Sequence, residues 1–150
     1  MNPGTQPPAR LHATPSWLLT QTAAHAARLV TEGLGAVAAR GYHYRLLAAL
    51  HDDGPASQAD LGRRSGIDRS DVVAALNELA ARDLVRRAPD PDDRRRNVIT
   101  LTPAGRRQLH RMEQALDHVQ ATLLAPLSSP ERAELTRLLT VLLDHHQQPR

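Results

Sequence analysis

Apolar residues recur every three or four positions between residues 14 and 40, which is the spacing of one buried helix face. Thr14 followed by Pro15 is typical of a helix start, because threonine can cap free N–H groups and proline suits the first helical position. We expect Gly41 to end this helix. A second, shorter helix is indicated by Tyr44, Leu46, Leu47 and Leu50. Residues 1–13 hold three prolines and few apolar residues, so we expect a flexible tail there.

Two short helices follow, joined by a turn at Ser65-Gly66-Ile67. Ser57 with Asp60 three residues later resembles a capping box and opens the first helix. Asp68 with Asp71 repeats that signal and opens the second helix, near residues 69–82, whose apolar stripe is Val72, Val73, Leu76 and Leu79. This pair is typical of a helix-turn-helix.

The period changes from helical to alternating over residues 84–101. Two β-prone runs at residues 84–87 and 98–101 flank residues 88–97, which are rich in proline, aspartate and arginine. The pattern predicts a β-hairpin with a long polar tip.

Two further amphipathic helices are predicted after Thr102-Pro103 and after Ser128, where Glu131 completes a capping box. Their leucine stripes have no obvious partner within so small a core, so we expect them to form a dimer interface together with the first helix. The expected interface residues are Leu18, Leu116, Leu135, Leu138, Leu139 and Leu142. The alternative is that the stripes pack within one subunit.

Bulk properties exclude several classes of protein. No apolar run approaches the ~18 residues of a membrane span, and the N-terminus lacks the apolar centre of a secretory signal. We therefore expect a cytoplasmic protein without membrane association. The absence of cysteine excludes disulfides and thiol redox sensing. No catalytic motif or Gly-rich phosphate loop is present, and the eight histidines show no known metal spacing, so we expect no enzyme, cofactor or metal.

The net charge of +3 is unevenly distributed. Residues 63–107 hold eleven arginines against seven acidic residues, and all nineteen basic residues of the chain are arginine. The planar fork of arginine suits bidentate contacts to phosphates and base edges. The lack of lysine could equally reflect a GC-rich genome, so the clustering of arginine carries more weight than its number.

Residues 44–105 resemble the MarR family of bacterial transcription regulators. The resemblance rests on Leu46-Leu47-x-x-Leu50, Asp60-Leu61, Leu79-x-x-x-x-Leu84-Val85-x-Arg87 and, most strongly, Asp93-Arg94-Arg95 followed by Val98-x-x-Leu101-Thr102-x-x-Gly105. It implies a mainly α fold with a small β-wing, in a single domain over residues 14–150. A winged helix-turn-helix lobe at about 42–102 would be flanked by dimerisation helices at about 14–40 and 103–146.

The second helix of the helix-turn-helix would be the recognition helix, which enters the major groove and meets base edges with its exposed N-terminal side chains. Its candidates are Arg69, Ser70, Asp71 and Asn77. The resemblance implies that Arg95 of the wing enters the minor groove while Asp93 orients it. Arg94 and Arg96 would then contact the DNA backbone. We also expect Ser57, Arg63 and Arg64 to contact the DNA backbone. Each of these sites also has an interpretation without DNA. The hairpin tip could be only a solvated loop, Asp93 and Arg95 could form a simple surface ion pair, and Arg63 and Arg64 could be the exposed face of a short helix.

The expected function is that of a dimeric regulator of a pseudo-palindromic operator in double-stranded DNA, acting as a repressor released by a small ligand. Ala74 and Glu78 depart from the basic or polar residues that family members often carry there, and Asp71 places negative charge close to phosphate. The alternative is therefore a winged-helix protein–protein adaptor without DNA readout.

Proteins of this family often bind small phenolic or aromatic acids where the dimerisation helices meet the DNA-binding lobe. An arginine and a histidine near aromatic residues would suit such an anion. The candidate lining residues are Trp17, His25, Arg28, Tyr42, His43 and Tyr44. The alternative is that these residues pack in the core or face solvent.

Overall fold

The computed structural model describes residues 6–149, which form seven helices and three short strands. The first helices are α1 (Ala9–His12), α2 (Pro15–Gly35), α3 (Gly41–Asp53), α4 (Gln58–Ser65) and α5 (Arg69–Ala81). The remaining elements are β1 (Ala56–Ser57), β2 (Val85–Pro89), β3 (Asn97–Leu101), α6 (Pro103–Leu123) and α7 (Ser129–Gln147). This order confirms the predicted mainly helical fold with a small β-wing.

The core lies where α3, α4 and α5 pack against each other and against the sheet. Its fully buried side chains include Leu46, Leu47, Leu61, Leu76 and Ile99. Burial of one such side chain stabilises the folded state by about 1.5–3 kcal/mol. Shared burial of this kind fixes the helix-turn-helix, formed by α4 and α5, against the strands of the wing.

The sheet has the strand order β1-β3-β2, and both pairings are antiparallel. The β2–β3 pair is the predicted hairpin. Ala56 and Ser57 of β1 pair with the other edge of β3. Strand β1 was not predicted, because two residues are too few to show an alternating pattern. It ties the start of α4 directly to the wing.

The N-terminal segment departs from the predicted tail over residues 1–13. Residues 1–5 of that tail lie outside the described residues, whereas Ala9–His12 form the helical turn α1. The hydroxyl of Thr14 donates to the carbonyl of Arg10 at 3.0 Å, so it joins α1 to α2 instead of capping α2.

Residues 36–40, here called the junction, connect α2 to α3. The first long helix ends at Gly35, earlier than predicted, and Gly41 begins α3 instead of breaking the preceding helix. Ala38 has a φ of 55°, a left-handed conformation that is uncommon outside glycine. The backbone N–H of Arg40 donates to Nδ1 of His43 at 3.3 Å and so caps α3.

Three of the predicted helix caps form. The hydroxyl oxygens of Ser57, Thr102 and Ser128 each accept the backbone N–H three residues later, and Glu131 completes the capping box at α7. The predicted cap at Asp68 is wrong, because its side chain makes no capping hydrogen bond to α5. The N–H groups at the start of α5 are therefore not occupied by that carboxylate.

The leucine stripes expected to form a dimer interface differ in burial. Leu116 of α6 packs partly against the core, and Leu135 of α7 is half-buried. The other four are exposed: Leu18, Leu138, Leu139 and Leu142. Leu116 thus contributes to packing within the subunit, and its place in a dimer interface stays a prediction. None of the helices in the described part of the chain, these long ones included, has the length and apolarity to cross a membrane.

Candidate nucleic-acid interface

A groove of about 690 Å³ separates the helix-turn-helix from the tip of the wing. It is lined by the N-terminal turns of α4 and α5 on one side and by the end of the hairpin on the other. The lining includes five predicted DNA contacts: Ser57, Arg63, Arg69, Arg95 and Arg96. Folding therefore brings together residues that lie up to 39 positions apart in the sequence.

The start of α4 carries a compact set of polar contacts. Ser57 is buried, and its Oγ accepts the backbone N–H of Asp60 at 3.2 Å. Hydrogen bonding from Ser57 lowers the pKa of the Asp60 carboxyl, and the nearby Arg63 and Arg64 lower it further. Arg63 is hydrogen-bonded to Asp60, and Arg64 Nη1 lies 4.0 Å from Asp53 Oδ2. Ser57 is thus primarily a helix cap, and both arginines have acidic neighbours.

The recognition helix α5 exposes only part of the predicted reading set. Arg69 and Ser70 are exposed in its first turn, whereas Asp71 is half-buried. Oδ1 of Asn77 accepts a hydrogen bond from Nη1 of Arg87 at 2.7 Å. Asn77 therefore ties α5 to strand β2 while remaining exposed, and its role in reading bases stays a prediction.

Glu78 makes contacts that the sequence did not indicate. Its Oε2 accepts a hydrogen bond from Arg40 and lies 2.6 Å from Nε2 of His43. The hydrogen bond from His43 lowers the pKa of the Glu78 carboxyl, and Arg40 adds to the effect. A cation thus balances the charge of Glu78, which sequence reasoning had set against DNA binding.

The wing tip is shaped by Asp93. Its Oδ1 accepts the backbone N–H of Arg95 at 3.1 Å, and its carbonyl accepts the N–H of Arg96 at 2.9 Å. The Arg95 side chain is 96% exposed, with Nε 3.9 Å from Asp93 Oδ1. Arg94 is exposed beside it. Asp93 therefore supports the backbone of the turn more directly than it orients the guanidinium group.

The six residues expected to line a ligand pocket have different surroundings in the structure. His25 and Arg28 bond to each other at 2.9 Å on an exposed part of α2, and Tyr42 is exposed. His43 is buried against Glu78. Tyr44 is half-buried on α3, and burial raises the pKa of its phenol, with carboxylates adding to the effect. Trp17 packs edge-on against His12 at a centroid distance of 5.4 Å.

A different groove, of about 680 Å³, lies between α2 and α6 and contains none of those six residues. Its floor is mostly apolar, and its polar side chains include Glu32, Arg111 and His118. Helices α2 and α6 meet closely here because Gly33 has no side chain: a Cβ on it would lie 2.5 Å from Cγ2 of Val119. The small residues Gly33 and Ala115 were the available sequence signal for this groove.

Comparisons with known proteins agree with this geometry. A model of the MarR family matches residues 38–96, which run from the junction to the wing tip. A probable transcriptional regulator from Pseudomonas aeruginosa has the same fold, with a TM-score of 0.76 and 33% identity. The match covers 89% of this chain and 99% of that one. This chain belongs to the MarR family.

Further relatives of this MarR-family chain carry more specific names. It is 34% identical over 98 residues to the HTH-type transcriptional repressor NicR of Pseudomonas putida. The aligned segment covers 65% of this chain and 62% of NicR. The aligned segments span only 57–62% of the curated relatives' lengths. The structure of Bordetella bronchiseptica BpsR, described for regulation of its DNA binding by 6-hydroxynicotinic acid, has a TM-score of 0.74 and 26% identity, covering 85% of this chain and 96% of BpsR. These names agree with the expectation of a regulator and not an enzyme.

Proposed function

We propose that this MarR-family chain is a cytoplasmic repressor that binds double-stranded DNA as a homodimer and is released by a small ligand. The observation that carries the proposal is the groove between the helix-turn-helix and the wing. Its lining combines Arg69 at the start of α5 with Arg95 and Arg96 of the wing.

The groove has the chemistry that a DNA backbone requires. Helix N-termini present free N–H groups and a positive dipole end to phosphate, and the side chain of Asp68 leaves those of α5 uncapped. Arg95 extends into solvent, where a guanidinium can enter a narrow minor groove of negative potential. The recognition helix and the wing would thus contact neighbouring grooves of one duplex.

The acidic residues of α5 oppose this function less than the sequence suggested. Glu78 is paired with Arg40 and hydrogen-bonded to His43, which leaves Asp71 as the acidic side chain within the first turn of the helix. The adaptor alternative rested on both carboxylates. Its support is therefore reduced to one half-buried side chain.

A second copy of the chain would cover the exposed leucines of α7 and Leu18 of α2. Leu138, Leu139 and Leu142 share one face of α7 and are each more than 40% exposed, which is costly in water. A two-fold dimer would place two recognition helices about one DNA turn apart, as a palindromic operator requires.

The ligand proposal draws on the relatives and on the α2–α6 groove. BpsR is described as regulated by 6-hydroxynicotinic acid, a small aromatic acid. Arg111 and His118 stand in a mostly apolar groove, which suits a flat ring bearing a carboxylate. We propose this groove, in place of the six residues chosen from the sequence, as the ligand site.

Binding to a random-sequence duplex should weaken steeply with salt. If Arg63, Arg69 and Arg96 of each subunit neutralise one phosphate apiece, the plot of log K against log salt should have a slope of about −5 for a dimer. Affinity would then fall roughly 10³-fold between 50 and 200 mM salt. Fluorescence anisotropy of a labelled 30-base-pair duplex measures this. An absence of binding at low salt would contradict DNA binding and favour the adaptor.

The substitution Arg95→Ala should weaken binding to a specific duplex by about 1–3 kcal/mol and leave the dimer intact. The duplex is first selected by the wild-type protein from a random-sequence pool, and affinity is then measured by anisotropy. Arg137→Ala is the matched control, since it removes the same charge from α7, where Arg137 pairs with Glu134. Equal affinities of Arg95→Ala and the wild type would refute the role of the wing.

A further inference from the structure

We propose that Glu78 is a positioning residue for DNA binding. It fastens the recognition helix to the junction and thereby raises affinity for a specific duplex, although it adds negative charge near the DNA. The inference rests on the proposed DNA-binding function. It assigns a role to a side chain outside the set of predicted DNA contacts.

The contacts of Glu78 form a defined polar latch. Nδ1 of the buried His43 accepts the N–H of Arg40, so in this arrangement Nδ1 carries no proton. Nε2 of the neutral ring must then be the donor, and it faces Oε2 of Glu78 at 2.6 Å. The same oxygen accepts a hydrogen bond from Arg40. One carboxylate oxygen on α5 thus receives donors from both the last residue of the junction and the first turn of α3.

A second contact joins the same face of α5 to the junction. Arg82, which follows the last turn of α5, donates from Nη1 to the carbonyl of Ala38 at 2.7 Å. Glu78 and Arg82 are four residues apart, a spacing that places both on one side of a helix. The C-terminal half of the recognition helix is therefore held to the junction at two points.

The junction is itself held from the side of α6. The buried Gln108 donates from Nε2 to the carbonyl of Val37 at 2.8 Å, and its Oε1 accepts two hydrogen bonds from Arg111 at 3.0 and 2.7 Å. The consecutive carbonyls of Val37 and Ala38 thus each accept a side-chain hydrogen bond. These bonds help to hold Ala38 in its left-handed conformation, which costs free energy in a residue other than glycine. The latch therefore attaches α5 to a fixed support and not to a loose loop.

The other side of α5 is held by the wing through Asn77 and Arg87. Because Asn77 and Glu78 are consecutive, their side chains point in directions about 100° apart around the helix. Loss of the Glu78 latch would leave the Arg87–Asn77 contact to the wing and the single Arg82–Ala38 hydrogen bond to the junction as the polar restraints on the tilt of α5. A specific duplex, which requires base edges and helix side chains in register, would be affected more than a random one.

Two Glu78 variants separate positioning from simple charge repulsion. Glu78→Ala removes both the charge and the acceptor, whereas Glu78→Gln removes the charge and keeps an acceptor oxygen. If Glu78 only repels phosphate, both variants should bind DNA more tightly. If it positions α5, Glu78→Ala should bind the duplex selected by the wild type about tenfold more weakly. Glu78→Gln should recover at least half of that loss on a logarithmic scale.

The experiment measures dissociation constants by anisotropy on the selected duplex and on a random one, with circular dichroism to verify folding. Glu113→Ala on α6 is the matched control, since it removes one exposed carboxylate that does not line the groove between the helix-turn-helix and the wing. Glu78→Ala should lose affinity for the selected duplex but keep or gain affinity for the random one. The positioning role is overturned if Glu78→Ala matches or exceeds the wild type on the selected duplex, loses affinity equally on both, or is not rescued by glutamine. Failure of the wild type to enrich any duplex would instead overturn the DNA-binding function itself, and the inference with it.

Discussion

Replacing both Leu138 and Leu142 with glutamate is expected to convert a dimer into a monomer and to weaken binding to a palindromic duplex by about 10²–10⁴-fold. Each leucine is 46% exposed, and their spacing of four places them on one face of α7. Two carboxylates on that face could be buried against a second subunit only at a large cost. Each monomer would then bind one half-site alone, without the gain from linked sites.

Sedimentation equilibrium measures the mass, and anisotropy measures the affinity for the selected duplex. Thr140→Glu is the control, because Thr140 is exposed and lies between the two leucines in sequence but on the opposite side of α7. It should remain dimeric and bind DNA as the wild type does. A dimeric Leu138→Glu/Leu142→Glu protein would show that the interface lies elsewhere.

The long elements of this fold could be predicted from local sequence. The recognition helix was expected near residues 69–82 and spans Arg69–Ala81, because Val72, Leu76 and Leu79 mark its buried face. The fourth residue of the predicted stripe, Val73, is exposed, and Ala75 is buried instead. The wing followed from a change of period on either side of a charged turn. Both signals depend on residues close in sequence, which is where periodicity is informative.

The contacts that adjust the site could not be predicted in the same way. Arg40 and His43 meet Glu78 across 38 and 35 positions, and neither residue carries a motif for that contact. The six residues chosen from the sequence for a ligand lie outside the α2–α6 groove, and their surroundings differ for a related reason: His43 is buried against Glu78, whereas His25 and Tyr42 are exposed. Glycine and alanine at the α2–α6 contact were a better guide, because small side chains mark close helix approach and the margins of grooves.

The arginines that line the DNA-facing groove are an intermediate case. Their clustering over residues 63–107 was visible in the sequence, and Arg69 and Arg95 do line one groove. The sequence did not reveal that Arg63 is paired with Asp60 or that Arg87 is directed to Asn77. Charge density can thus be predicted from composition, whereas the availability of each charge depends on neighbours that only the fold supplies.

The substitution Gly105→Ala is expected to lower the free energy of unfolding by about 1–3 kcal/mol, because it adds a side chain to a site that is already fully packed. A Cβ at this position would overlap the carbonyl oxygen of Leu84 and lie 2.7 Å from Cδ1 of Leu101. That carbonyl already accepts the N–H of Thr102 at 3.2 Å, and the Thr102 hydroxyl accepts the N–H of Gly105 at 3.0 Å. In the Gly105→Ala variant, the start of α6 therefore has to move away from the wing.

Thermal denaturation followed by circular dichroism at one protein concentration should show a Tm lower by about 2–12 °C, given roughly 2–4 °C per kcal/mol for a chain of this size. Gly35→Ala is the control, because a Cβ there meets nothing within 4 Å. It removes a glycine from the end of α2, so its Tm should be unchanged or raised. Because the obstruction at Gly105 is backbone, a rotamer change cannot relieve it. Equal Tm values for the two variants would mean that α6 is not held as tightly against the wing as these distances require.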